Sequence, residues 1–408
     1  MIEIRLVKNE PVVFGAVGAA ILDKDTRTIL EIYEHYTEHQ DEAIKLVDRI
    51  LKSKHMIVGH FLPQAIIIQG LTRLGAMYIW RMINTQSLVF ASGLETSLRI
   101  SKVASVRPNV GKLGQSSLNL YQKAIGLGIP AEDARAVLLE GGTETNIILS
   151  ASHRDYLKIA NALMSADLPE LQEMGETISK LVLEDSKMNI PRELPATTWP
   201  FWGEEKIQQR ISLHCTGTIP SITVTLGTEQ SYYTIAQLVR ERPVLISPEP
   251  LEQAARSGSF DIPLSFSEHS DIVREYKELA LLLHQEQMTR ISNKDPTFAD
   301  FLCLGQRSKL SITLNGYGAI TFSQKRCCGA AQRPIRIPGI QVTRNLLAKY
   351  PDFEKELGPG CWKTGRCIES PRFRANCGVF AKYNGQRPDS LNEVFKLLAT
   401  PQRKFSVI

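Results

Sequence analysis

Gln237-Leu-Val-Arg240-Glu241-Arg242 closes an expected helix, and Glu252-Gln-Ala254-Ala-Arg256 falls in the expected loop beyond it. Downstream, the β-branched, apolar run Leu310–Leu314 reads as a strand ending at Asn315. Arg326, Ala331-Gln332 and Arg336 come after it. Around these residues the pattern fills in. Strands are expected at 211–214 and 222–226, and helices at 232–242, at about 270–290, around 319–329 and around 342–350.

The same order can be read in the first half. Ile44, Val47 and Leu51 fall on one helical face within 38–53, opposite the charges. Ala65-Ile66-Ile67-Ile68 reads as a buried strand and 71–83 as a helix, with 94–99 near a loop. Pro130 heads another helix with acids in its first turn. A strand is expected at 145–150 and a long helix from about 154 to 183. Between the halves, 190–205 carries three prolines and no period, which marks a linker. Two passes through one order of elements point to an internal duplication.

The chain has 408 residues, enough for two domains. Lys plus Arg exceeds Asp plus Glu by 48 to 43, and no basic run is present. That balance suits small anionic ligands and does not suggest nucleic acid. The stretch 65–82 is interrupted by Gln69, Arg73 and Arg81, so no membrane span is expected. The N-terminus lacks the layout of a secretory signal, and the seven cysteines are expected as cytoplasmic thiols.

Gln237 to Arg242, Glu252 to Arg256, Asn315, and Arg326 to Gln332 resemble the flavin-dependent thymidylate synthase family. Its signature is Gln-x-x-Arg-His-Arg, a Glu-x-Ser-x-Arg loop, Asn at a strand end and an Arg-x5-Gln helix. In the first half, His55 and His60, Trp80-Arg81-Met82, Glu95-Thr-Ser97-Leu-Arg99 and Asp133-Ala-Arg135 resemble the same signature more faintly. The resemblance implies an α+β fold of two tandem domains, each a small mixed sheet packed with long helices. Copy one would span 1–190 and copy two 206–380, joined by 191–205 and followed by an extension over 381–408. Several positions depart from the pattern: Glu241 replaces the central His, Ala254 the loop Ser, and Leu163 and Pro169 the Arg and Gln of the first copy.

A nucleotide monophosphate carries close to two negative charges, so its site needs guanidinium groups that bind bidentately. By resemblance, the substrate would meet Glu95, Ser97, Arg99, Arg135, Gln237, Glu252, Arg256, Arg326 and Gln332, with Arg326 also polarising the pyrimidine. His55, Arg81, Arg240, Arg242 and Asn315 would meet the cofactor. The implied reaction is FAD-dependent reductive C5-methylation of dUMP, with methylenetetrahydrofolate and NADPH as co-substrates. UMP or another pyrimidine nucleotide is an alternative acceptor, and a non-catalytic nucleotide- or flavin-binding protein is an alternative class. The family site crosses subunits of a tetramer, so a homodimer with sites composed from both copies is expected. Cys361, Cys367 and Cys377 are spaced C-x5-C-x9-C, with Cys327-Cys328 upstream. Zinc prefers closer pairs, so no metal is expected there.

Overall fold

In this computed structural model the described residues are 3–7, 12–22, 29–52, 63–84, 91–95, 103–166, 168–185, 211–214, 223–238, 244–367, 374, 377–384, 386, 388 and 390–399. The first half runs β1 (Glu3–Val7), α1 (Val12–Leu22), α2 (Ile29–Glu38), α3 (Gln40–Lys52), β2 (Pro63–Thr72), α4 (Arg73–Asn84) and β3 (Ala91–Glu95). It continues through α5 (Gly111–Gly126), α6 (Ala131–Ala134), β4 (Glu144–Ser152), α7 (His153–Met164) and α8 (Pro169–Asp185). The second half runs β5 (Ile211–His214), β6 (Thr223–Ser231), α9 (Tyr232–Leu238), β7 (Val244–Pro248), α10 (Leu251–Ser257) and α11 (Ser270–Ser292). Then come β8 (Arg307–Asn315), α12 (Gly316–Arg326), α13 (Arg333–Lys349), α14 (Gly360–Thr364), α15 (Gly378–Tyr383) and α16 (Leu391–Ala399).

Two compact units result. One contains Met1–Ser97 and Gly141–Phe201, the other Leu98–Glu140 and Trp202–Ile408. The connector holding α5 and α6 therefore groups with the second unit. No described helix is long and apolar enough to cross a membrane.

In the first unit the sheet order is β1-β2-β4-β3, and every neighbouring pair is antiparallel. The expectation of a mixed sheet is corrected. β2 and β3 point the same way, but β4 returns between them, so parallel strands are never neighbours. β4 alternates exposed and buried positions, placing Ile147, Leu149 and Ala151 in the core while Ile148 faces outward. The expected long helix over 154–183 is two helices, because the chain breaks at Ser165 and restarts at Pro169, which suits a first helical position. A Cβ on Gly175 of α8 would lie 2.6 Å from the Ala160 carbonyl oxygen of α7, so the two helices pack backbone to backbone there.

In the second unit the order is β5-β6-β8-β7, again antiparallel throughout. β6 and β8 pair without interruption from Thr223 opposite Asn315 to Ser231 opposite Arg307. The larger core of this unit forms where α5 and α11 bring Leu118, Tyr121, Tyr276, Leu279 and Leu283 against Phe266 and Phe301. Each fully buried apolar side chain there contributes about 1.5–3 kcal/mol. A smaller core gathers Trp362 with Val394, Phe395 and Leu398 of α16.

Candidate functional site

Arg135 follows α6, Gln237 lies near the end of α9, and Gln332 is the residue before α13. All three are buried in the second unit. Arg135 Nη2 donates to Gln332 Oε1 at 3.1 Å, and Gln237 Nε2 donates to the same oxygen. Gln332 Nε2 donates to the Glu132 carbonyl at 3.2 Å, and Arg135 Nε to that same carbonyl at 3.1 Å. The Arg135 guanidinium carbon lies 5.7 Å from the centre of the Tyr233 ring, close enough for a cation–π contact.

Carboxyl groups flank this cluster. The Tyr233 hydroxyl donates to Asp261 Oδ2, and the Ser265 hydroxyl donates to Asp133 Oδ2 at 2.7 Å. Burial pushes the Asp133 carboxyl up to about 6; Glu132 and Asp261 push the same way, against the Ser265 hydrogen bond and the Arg135 charge. Burial also drives the Tyr233 hydroxyl well above its ordinary value, with Asp261 adding to the effect. Tyr233 and Asp261 belong to no motif of the sequence. Asp133 belongs only to the pattern before Arg135. The cluster combines a guanidinium with two amides, a set that can read the alternating donors and acceptors of a uracil edge. An entering ligand would exchange hydrogen bonds with those the side chains now make to one another.

The other expected residues are placed differently. Glu95 is the last residue of β3, opposite Ile147. Glu252 and Arg256 lie on helix α10, where a loop was expected, and form an exposed pair with Arg256 Nη2 2.6 Å from Glu252 Oε1. Pro250 starts that helix, and the four-residue spacing puts the two charges on one face. Asn315 caps α12, its Oδ1 accepting from the Gly318 N–H at 2.8 Å. Arg326 and Gln332 do not share a helix: Arg326, half-buried, ends α12, whereas Gln332 precedes α13. Arg81 is half-buried in the last turn of α4, where burial pushes its guanidinium down to about 10. His55, Ser97, Arg99, Arg240 and Arg242 lie outside the described residues. Of the five positions assigned to a flavin, Arg81 and Asn315 are described, and Asn315 is committed to its helix.

No family model matches the chain. A flavin-dependent thymidylate synthase from Nitratidesulfovibrio vulgaris (strain Hildenborough) is 29% identical over 111 residues, which is 27% of this chain and 44% of that protein. The resemblance to flavin-dependent thymidylate synthases holds. The chain spans less than half the length of this thymidylate synthase. Among solved structures, a UMP/dUMP methylase, PolB from Streptomyces cacaoi, bound with 5-Br dUMP, is similar at 14% identity with a TM-score of 0.35. The similarity covers 48% of this chain and 98% of that one. The same protein bound with 5-Br UMP gives the same identity and TM-score. The thymidylate synthase and the methylase are both enzymes.

Proposed function

We propose that the chain is a thymidylate synthase-like enzyme that methylates C5 of a uridine nucleotide, with dUMP as the first acceptor and UMP as the alternative. FAD, methylenetetrahydrofolate and NADPH are its proposed cofactor and co-substrates. The observation that carries this reading is the junction of Arg135, Gln237 and Gln332 on one amide oxygen, three residues drawn from separate family motifs. In this reading Gln237 and Gln332 hold the pyrimidine edge. Arg135 and Arg326 balance charge on the nucleotide, where fixed donors in a dry site act more strongly than in water.

We further propose that 1–190 and 206–380 are diverged copies of one unit, joined by 191–205 and followed by the 381–408 extension. Two parallels support this. Both sheets order their strands first, second, fourth, third. Both continue into a helix pair with a glycine packed against the neighbouring helix, Gly175 against Ala160 and Gly339 against Arg326. The connector of the first copy then lends Arg135 to residues of the second, in keeping with a site composed from both copies. A dimer of chains would stand in for the family's tetramer.

A second reading is a nucleotide-binding protein without turnover. It is favoured by the way the candidate groups satisfy one another, Gln332 by Arg135 and Gln237, and Arg256 by Glu252. The test is to incubate the full chain with FAD, NADPH, methylenetetrahydrofolate and either dUMP or UMP. A product heavier by one methylene is expected. A nucleotide that binds but leaves unchanged in mass, with either acceptor, overturns the enzymatic reading and supports the second.

A further inference from the structure

Four cysteines of the second unit line one cavity of about 310 Å³. Cys328 stands just past α12, Cys361 lies in α14, Cys367 follows that helix, and Cys377 precedes α15. All four side chains are half-buried. Cys328 lies 33 positions before Cys361, so its meeting with the other three is a property of the fold and not of local spacing.

The space the thiols surround bears on what they can hold. A single tetrahedral zinc ion with bonds of about 2.3 Å draws its sulfurs to about 3.8 Å from one another. Among the described residues no three His, Cys, Asp or Glu side chains are grouped to hold one metal ion. Four thiols around a cavity of about 310 Å³ suit a polynuclear centre, in which the irons fill the space between the sulfurs.

We propose that Cys328, Cys361, Cys367 and Cys377 ligate a [4Fe–4S] cluster in this cavity. The charge balance agrees. Four thiolates on a doubly positive core leave about two negative charges. Lys325 and Lys363 line the cavity, and the buried Arg336 guanidinium interacts electrostatically with Cys328 and Cys377. Apolar side chains, Val379 and Leu398 among them, complete the wall and limit access of water to the cluster.

Loading from a preformed cluster with small-thiolate ligands needs no redox step. Each cysteine Sγ–H passes its proton to the small thiolate it displaces. An iron–Sγ bond forms as the iron bond to the leaving thiolate breaks, and no electron moves.

The experiment mixes full-length protein, purified without oxygen, with such a synthetic [4Fe–4S] thiolate cluster, then desalts it and measures bound iron and acid-labile sulfide. About four of each per chain are expected. Cys361→Ser and Cys377→Ser should each lower cluster retention by about tenfold or more without changing the thermal melt. Should a variant melt abnormally, iodoacetamide labelling of the unmodified sequence decides, with four fewer cysteines labelled after loading. The proposal is overturned if the protein retains no iron and sulfide, or if labelling is unchanged by loading. It is also overturned if folded serine variants retain as much cluster as the parent, or if the protein is isolated with one zinc ion bound to these cysteines and no sulfide.

Discussion

Arg135 Nη2 donates to Gln332 Oε1 at 3.1 Å across 197 positions of sequence. The two residues come from opposite sides of the proline-bearing stretch, and both are buried. Removing the guanidinium leaves the Gln332 oxygen with Gln237 alone. Arg135→Ala should therefore lower stability by about 1–3 kcal/mol in urea denaturation. A double-mutant cycle with Gln332→Ala should show a coupling of about 0.5–3 kcal/mol. Strict additivity would mean that the pair does not act as a unit. If the proposed function is right, Arg135→Ala should also weaken dUMP binding, measured by calorimetry.

Asp133 gives this region a pH signature. Its ordinary carboxyl value is 3.8, and in the folded chain burial raises it to about 6. The native state then binds more protons than the unfolded state between those values, so stability falls as pH rises from about 4 to about 6. The full effect is at most about 3 kcal/mol. Asp133→Asn keeps an acceptor for the Ser265 hydroxyl and cannot ionise. Denaturation midpoints measured from pH 4 to 7 should lose this slope in the variant. An unchanged slope would show that another group is responsible.

The first unit carries the opposite slope. His153 is fully buried at the start of α7, and neither ring nitrogen has a hydrogen-bond partner. Burial pushes it down from 6.5 to about 4. The unfolded chain takes up a proton first, so this stabilisation is complete above about 6.5 and is lost as pH falls toward 4, by about 3 kcal/mol. His153→Leu should flatten the acid limb of the melting curve and leave no desolvated imidazole. Melting temperatures of parent and variant that fall together below pH 6 would contradict this.

Regular periodicity made the larger elements legible. α3 and α11 fall where one-face spacing and length place them, and β4 and β8 where β-branched runs do. β3 and β7 carry no clear strand signal in the sequence. β3 is Ala-Ser-Gly-Leu-Glu, weak in strand propensity, and β7 is five residues ending in Pro248. Each owes its conformation to the central strand it pairs with, a long-range partner invisible in a local window. The site was legible in kind but not in assembly. Arg135, Gln237 and Gln332 could be named from motifs, yet their meeting on one oxygen depends on packing within the second unit, to which the connector belongs. Tyr233 and Asp261 carried no motif at all.

Gly339 makes the last prediction. A Cβ there would lie 2.9 Å from the carbonyl carbon and Cβ of Arg326 and 3.0 Å from its carbonyl oxygen. Two of these are backbone atoms, which cannot rotate aside, so α12 and α13 must part. Replacing glycine by alanine within a helix would otherwise favour the helix by up to about 1 kcal/mol. Overpacking costs about 1–3 kcal/mol, so Gly339→Ala should be destabilising on balance. It should also displace Arg326 and weaken dUMP affinity if that arginine meets the nucleotide. Gly175→Ala is the matched control in the first unit, where the added carbon would meet the Ala160 oxygen at 2.6 Å. It should cost similar stability in thermal melts. Because Leu163 stands where the second copy has Arg326, it should leave dUMP affinity unchanged. Equal loss of affinity in both variants would mean that the effect is general loosening, and Arg326 would lose its proposed role.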